Sequence, residues 1–380
     1  WYQSHITTPD YEIYGYNLAL TPFPLLGHNR NYAYGLTMFE NDDVDFYFEK
    51  NNPKNSNEYE TPDGFSAYKM VKKTIKIKDL PDTTFTLKIS NHGPIMNSLV
   101  KEIHDKRPIA MQWMYTKLEN QILDVGYQIS HATSLEEFKN GASLLHAPGL
   151  NMMYGDAQNN IAWFASGKLY KYRDSLNTKL VLDGASGKDE VLEYLDFEDN
   201  PQAINPDWNY VYSSNNQPDS IAGILYPGYY LPEDRGHRVA QLLEEKNDWT
   251  SEDVQKMIFD VTSPIVSHNI TNLVADLDTN DFTENEQKAL EVLNEWNGEY
   301  AKEKNAPTIY NRFLYEFLSG TFKDEIGESF SLFMETHLMK KLIAVQAAKE
   351  TSIWFDDIST DVKETKFDIT QKSFKKAVAF

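Results

Sequence analysis

Asp42-Asp43-Val44-Asp45 sets carboxylates close together with a backbone carbonyl between them, a hard-oxygen donor set of the kind calcium takes. The same four residues would equally make a solvated acidic turn. Asn215 and Asn216, at the end of the run Trp208 to Pro218, could aim side-chain amide protons at a developing oxyanion or cap the loop that carries them. Other chemistries are excluded directly. With no cysteine there is no disulfide, thiolate metal site or cysteine nucleophile. There is no Walker A loop, G-x-G-x-x-G, H-E-x-x-H or G-x-S-x-G, and the nine histidines are scattered without ligand spacing.

These residues need a scaffold, and the chain can build one: 380 residues at 41% hydrophobic content fill a sizeable core. A formal net charge of −21 argues against nucleic acid and anionic membrane surfaces, which demand clustered Lys and Arg. No apolar run approaches a bilayer span. The chain opens at Trp1 and closes on Phe374 to Phe380, an amphipathic pattern cut short, and so reads as a processed or excised piece.

The stretch Gly27 to Lys50 joins a polar loop, a strand, the acidic turn and a second strand in which Asp45, Tyr47 and Glu49 alternate with Val44, Phe46 and Phe48. Residues 11–20 alternate as a strand. Ile75 and Ile77, then Phe85, Leu87 and Ile89, flank Pro81-Asp82 as a hairpin, and 109–114 is another strand. Ser134 and Glu137 form a capping box opening a helix to about His146. Gly149 to Gly167 reads as a hairpin turning at Asn159-Asn160, and Trp208 to Pro218 as a strand ending in a polar loop. Beyond this the pattern turns helical: Arg238 to Glu245; a segment capped by Thr250 or Ser251; a helix opened by Thr283 and Glu286; and later segments carrying Ile309, Phe313 and Phe317, then Leu338, Leu342 and Val345. No linker separates the halves, so strand-rich 1–220 and helix-rich 221–380 are expected to share one core, an α+β fold.

Five landmarks, in order and at matching spacing, resemble the penicillin acylase (penicillin amidase) family: Gly27-His28-Asn29 through Asp45; His92-Gly93-Pro94-Ile95; Tyr154-Gly155-Asp156 with Asn160-Ile161; Ser214-Asn215-Asn216-Gln217-Pro218; and Arg235-Gly236-His237-Arg238-Val239. The resemblance implies an N-terminal nucleophile hydrolase: an αββα sandwich, incomplete here, from a self-cleaving precursor whose new N-terminal Ser attacks an amide with its own α-amine as base. That Ser is expected upstream of Trp1, so the chain reads as an internal β-subunit fragment, inactive alone, whose partners are the missing α-subunit and the remaining β-subunit segments. It implies a periplasmic or extracellular location and a small acylated amine as substrate: a β-lactam side-chain amide, an acyl-homoserine lactone or another.

Residue by residue, Asn215 matches the oxyanion-hole asparagine, Met38 the position whose backbone N–H is the second donor, and Arg238 an arginine near the active site. Leu26, Leu36, Tyr127 and Leu150 match acyl-pocket positions by spacing, and each reads equally as core. Asp42, Val44 through its carbonyl and Asp45 match structural Ca2+ ligands, with one further ligand on the α-subunit and none matched near Tyr226. No organic cofactor is implied. Two departures stand out: Met38 is bulkier than the small residue usual there, and Lys171-Tyr172-Arg173 lacks the usual proline. Competing readings are a non-catalytic extracellular binding module, suggested by 13% aromatic residues and strong acidity, and an inert proteolytic fragment.

Overall fold

Strand-forming alternation in the first part of the chain produces ladders between sequence neighbours in the computed structural model, which describes residues 1–219, 223–275 and 277–380. Strands β1 (Tyr2–Thr7), β2 (Glu12–Asn17), β3 (Leu26–His28) and β4 (Tyr32–Met38) pair antiparallel in turn. β5 (Val44–Phe48) is followed by a three-stranded sheet of β6 (Asn51–Asn52), β7 (Asn55–Thr61) and β8 (Gly64–Ala67). The hairpin of β9 (Lys69–Ile75) and β10 (Thr83–Ile89) pairs Ile75 with Thr83. β11 (Ile109–Trp113) returns to pair with β5 and leads into helices α1 (Met114–Lys117), α2 (Ile122–His131) and α3 (Leu135–Ser143).

The next hairpin, β12 (Leu150–Asp156) and β13 (Ile161–Ser166), turns at Asn159, which adopts φ +65° as the Asn pair predicts. The short strands β14 (Tyr170–Lys171), β15 (Leu182–Asp183), β16 (Glu193–Tyr194) and β17 (Gln202–Ile204) follow. The principal sheet has seven strands in the order β1-β2-β3-β4-β12-β13-β17. Helices α2 and α3 cover one face of it. Phe138 of α3 is fully buried with ring centroids 5.5 Å from Tyr32 and 5.2 Å from Tyr154, packing of the kind whose truncation to Ala costs about 3–5 kcal/mol. Only glycine fits at position 141, since a Cβ there would sit 2.9 Å from Ile129 Cγ2 on α2.

The second unit is helical: α4 (Asp234–Glu244), α5 (Ser251–Ile258), α6 (Ile265–Val274), α7 (Glu284–Glu295), α8 (Ala306–Ile326), α9 (Phe330–Met334), α10 (His337–Ala348) and α11 (Lys366–Ala379). Thr250 with Asp253 and Thr283 with Glu286 both form complete capping boxes. Its apolar cluster is built from Phe313 and Phe317 of α8, Phe374 of α11, Leu273 of α6 and Leu293 of α7, among others. The chain divides at Trp1–Tyr229 and Tyr230–Phe380. The boundary anticipated at 220/221 falls on residues outside those described.

Four expectations change. Residues 208–213 form no strand; Asn209 (φ +63°) turns the backbone left-handed near the start of the segment. Helix α3 stops at Ser143, short of His146. Its box is also incomplete: Ser134 Oγ accepts from Glu137 N–H, but the Glu137 carboxylate reaches Thr133 instead of the Ser134 backbone. On α10, Leu338 and Val345 are exposed and the buried stripe is Ile343 and Ala347.

Candidate active site

Phe39 N–H donates to the Gly149 carbonyl at 3.0 Å, so Phe39 and Gly149 are a hydrogen-bonded pair and the adjacent pair, Met38 and Leu150, is not. The N–H and C=O of Met38 therefore make no ladder bond to the β12 backbone, and β3 pairs only as far as Tyr34. Asn215 Nδ2 donates to that Met38 carbonyl at 2.9 Å. The residue whose carbonyl Asn215 holds is thus the one expected to supply the backbone donor. Asn215 holds φ +61°, a conformation Asn tolerates better than most residues, and its own N–H is tied to Ser213 Oγ at 3.2 Å.

A buried polar network supports this pair. Asn151 on β12 accepts the Trp163 indole N–H at Oδ1 (2.9 Å) and donates its two Nδ2 protons to the Met38 carbonyl (2.9 Å) and Ser213 Oγ (2.9 Å), with Thr37 Oγ1 3.2 Å away. Sequence reasoning missed Asn151, Thr37, Ser213 and Trp163. The available signal was an Asn set between Leu150 and Met152 in an otherwise apolar strand.

The apolar candidates separate. Leu36 and Leu150 are partly buried against the cluster around Phe138; Leu36 pairs with Met152, and Met38, 45% exposed, pairs with Leu150, so these four side chains share one sheet face. Leu26 lies on β3 opposite Tyr16. Tyr127 on α2 is exposed, stacked on His131 at 4.1 Å with Phe23 edge-on at 5.8 Å. Arg238 lies on α4 in the second unit, where its guanidinium grips Asp260 by two bonds of 2.9 and 2.6 Å.

The acidic stretch is buried, contrary to a solvated turn. Asp45, Tyr47 and Glu49, the more polar set of the β5 alternation, face inward, while Phe46 is exposed. Partners make this possible. Asp45 Oδ2 accepts from the hydroxyls of Tyr170 (2.8 Å) and Tyr172 (2.7 Å), and Thr178 donates to Asp42. Tyr170 and Tyr172 flank Lys171 in the segment that lacks the proline. Asp42 Oδ1 and Asp45 Oδ1 are buried without a hydrogen-bond partner. Burial pushes the Asp42 carboxyl up to about 7 and that of Asp43 to about 6, and raises that of Asp45 as well.

Such orphaned oxygens are what an oxygen-seeking cation would satisfy. Met114 N–H takes the Asp43 carbonyl, so in the β5–β11 ladder the Val44 carbonyl turns away from β11, on the flank left for another partner. Among the described residues no group of three or more His, Cys, Asp or Glu is disposed to hold a metal.

A second buried cluster centres on His92 of the His-Gly-Pro-Ile landmark. Nδ1 meets Glu49 Oε1 at 2.8 Å, Nε2 meets Glu190 Oε1 at 2.9 Å, and the ring stacks 3.9 Å from Tyr47. Burial pulls the imidazole pKa down, and the two carboxylates outweigh it to leave it raised.

The chain matches the family model described as penicillin amidase over residues 1–380. It is 25% identical to an acyl-homoserine lactone acylase, QuiP, of Pseudomonas aeruginosa over 100% of this chain and 48% of that protein. It is 23% identical to penicillin G acylase of Escherichia coli over 76% of this chain and 34% of that protein. The chain thus spans about half the length, or less, of these curated relatives. The structure superimposes on a thermostable penicillin G acylase from Alcaligenes faecalis with a TM-score of 0.79 at 18% identity, covering 99% of this chain and 72% of that one, so the two share an α+β fold. With a model that spans every residue, the chain belongs to the penicillin amidase family.

Proposed function

We propose that this chain is one wall of an amidohydrolase that cleaves a linear amide through a Ser acyl-enzyme, with the nucleophile on a segment outside these residues. The observation that carries the reading is the Asn215 amide bonded to the carbonyl of Met38, the residue expected to give the backbone donor. In the proposed reaction the Ser hydroxyl attacks the amide carbonyl and its proton passes to the chain-terminal amine. The tetrahedral oxyanion is held by Met38 N–H and Asn215 Nδ2. The amine leaves with that proton, and water resolves the ester. An apolar acyl group is proposed as the part recognised, with the 45% exposed Met38 side chain available to contact it.

Asp42, Asp45 and the Val44 carbonyl are proposed ligands of a structural Ca2+, supported by the two orphaned carboxylate oxygens. When bound, the ion would neutralise buried charge and fix the acidic stretch. A periplasmic or extracellular setting and assembly with an α-subunit belong to the same proposal. Among the described residues no helix is long and apolar enough to cross a membrane. The test is amine release by the full-length protein from phenylacetyl amides and from acyl-homoserine lactones. Turnover of either class supports the reading, and failure on both overturns it. The 380-residue chain alone is expected to be inactive.

A further inference from the structure

The geometry points to Asn151 as the positioning residue that holds the two oxyanion donors in register, a role that rests on the reading of Asn215 and Met38 above. An indole N–H can only donate, so the Asn151 atom 2.9 Å from Trp163 Nε1 must be the carbonyl oxygen Oδ1. That fixes the amide flip and turns Nδ2 toward the Met38 carbonyl and Ser213 Oγ, each at 2.9 Å.

The Met38 carbonyl then accepts from two side-chain amides, Asn151 and Asn215, both at 2.9 Å, which uses both of its lone pairs. Ser213 Oγ accepts from Asn151 Nδ2 and, at 3.2 Å, from the Asn215 backbone N–H. With its lone pairs committed, its own proton goes to Thr37 Oγ1 at 2.6 Å. One buried amide, 2% exposed, therefore grips both the strand end bearing Met38 and the loop bearing Asn215. Asn151 touches neither substrate nor oxyanion. It sets the separation between the groups that do.

An oxyanion hole works only while its donors stay aimed at the place where charge develops, and a misplacement of an ångström can cost about 100-fold in rate. A register defect of this kind weakens the transition state and leaves the acyl site intact, so it lowers kcat and spares KM. A purely structural Asn would show the opposite pattern: lower thermal stability with kcat unchanged at temperatures where the protein is folded.

The experiment is a double-mutant cycle in the full-length protein, reading kcat and KM for an amide substrate well below the melting transition. Asn151→Ala is expected to lower kcat about 10- to 100-fold with KM within about two-fold. Adding Asn151→Ala to Asn215→Ala should cost less than Asn151→Ala costs alone, because part of its effect passes through Asn215. Ser213→Ala, which deletes only the hydroxyl joining strand to loop, should lower kcat in the same non-additive way and serves if Asn151→Ala does not fold. If Asn215→Ala lowers kcat while Asn151→Ala and Ser213→Ala do not, or if the losses multiply, the positioning role is overturned and the oxyanion reading survives. An unchanged kcat in Asn215→Ala overturns the reading on which both rest.

Discussion

Replacing His92 by Gln removes the cation from between two carboxylates. The Glu49 side chain is 0% exposed and the His92 side chain 1%, so Glu49 loses its charged partner where water cannot replace it. Its second oxygen, Oε2, already lacks a hydrogen-bond partner. Breaking a buried ion pair from one side costs about 3–5 kcal/mol, whereas the contact to Glu190, 42% exposed, is screened and adds little. For a unit the size of Trp1–Tyr229, that loss corresponds to a Tm about 6–20 °C lower.

The pH dependence has a defined sign. The folded pKa of His92 is raised above its ordinary 6.5, so its contribution is full below that value and fades as pH rises through the folded pKa. Bonding to His92 lowers the Glu190 pKa from 4.5, so that smaller contribution is present above 4.5 and fades as pH falls through the lowered value. The clamp is strongest between these two ordinary values. Circular dichroism melts of wild type, His92→Gln and Glu49→Gln/His92→Gln across pH 5–9 read this directly. The double variant should recover at least half of the lost stability by removing the stranded charge, and the wild-type advantage over it should shrink as pH rises above 6.5. A His92→Gln penalty below about 1 kcal/mol, or an advantage independent of pH, would refute the buried-clamp argument.

Calcium should raise the Tm of the full-length protein, by a stability gain of about 2.7 kcal/mol at a hundred times Kd, and chelation should reverse it; Asp45→Asn should abolish the response in a thermal-shift titration, and an unaltered response would remove Asp45 from the ligand set. Gly149→Ala should destabilise by about 1–3 kcal/mol in a denaturant melt, because the added Cβ would lie 1.8 Å from Asn41 Oδ1 and 2.8 Å from the Phe39 carbonyl, and the latter is backbone that cannot step aside. A neutral result there would show that the β4–β12 junction is looser than its hydrogen bonds imply.

What was legible in the sequence was local. Thr283 with Glu286 and Asn159-Asn160 specify a cap and a turn through groups only a few residues apart, and both formed. The five landmarks singled out Met38 and Asn215, which the fold brings into hydrogen-bond contact although 177 positions separate them. Illegible were the features that depend on distant partners. The alternation in β5 does not say which face is buried. Placing the carboxylates inside requires Tyr170, Tyr172 and His92, none of which is near Asp45 or Glu49 in the chain. Asn151 looked like an ordinary polar strand residue until Trp163, Thr37 and Ser213 closed around it. The strand anticipated from Trp208 failed where Asn209 took a left-handed conformation, which Asn permits.

Oxyanion stabilisation by Asn215 is tested most directly by the steady-state kcat of Asn215→Ala against wild type in the full-length protein, with melting curves run in parallel. A fall of about 100- to 1,000-fold in kcat is expected, with the melting temperature held. Turnover equal to wild type from a folded variant would contradict it.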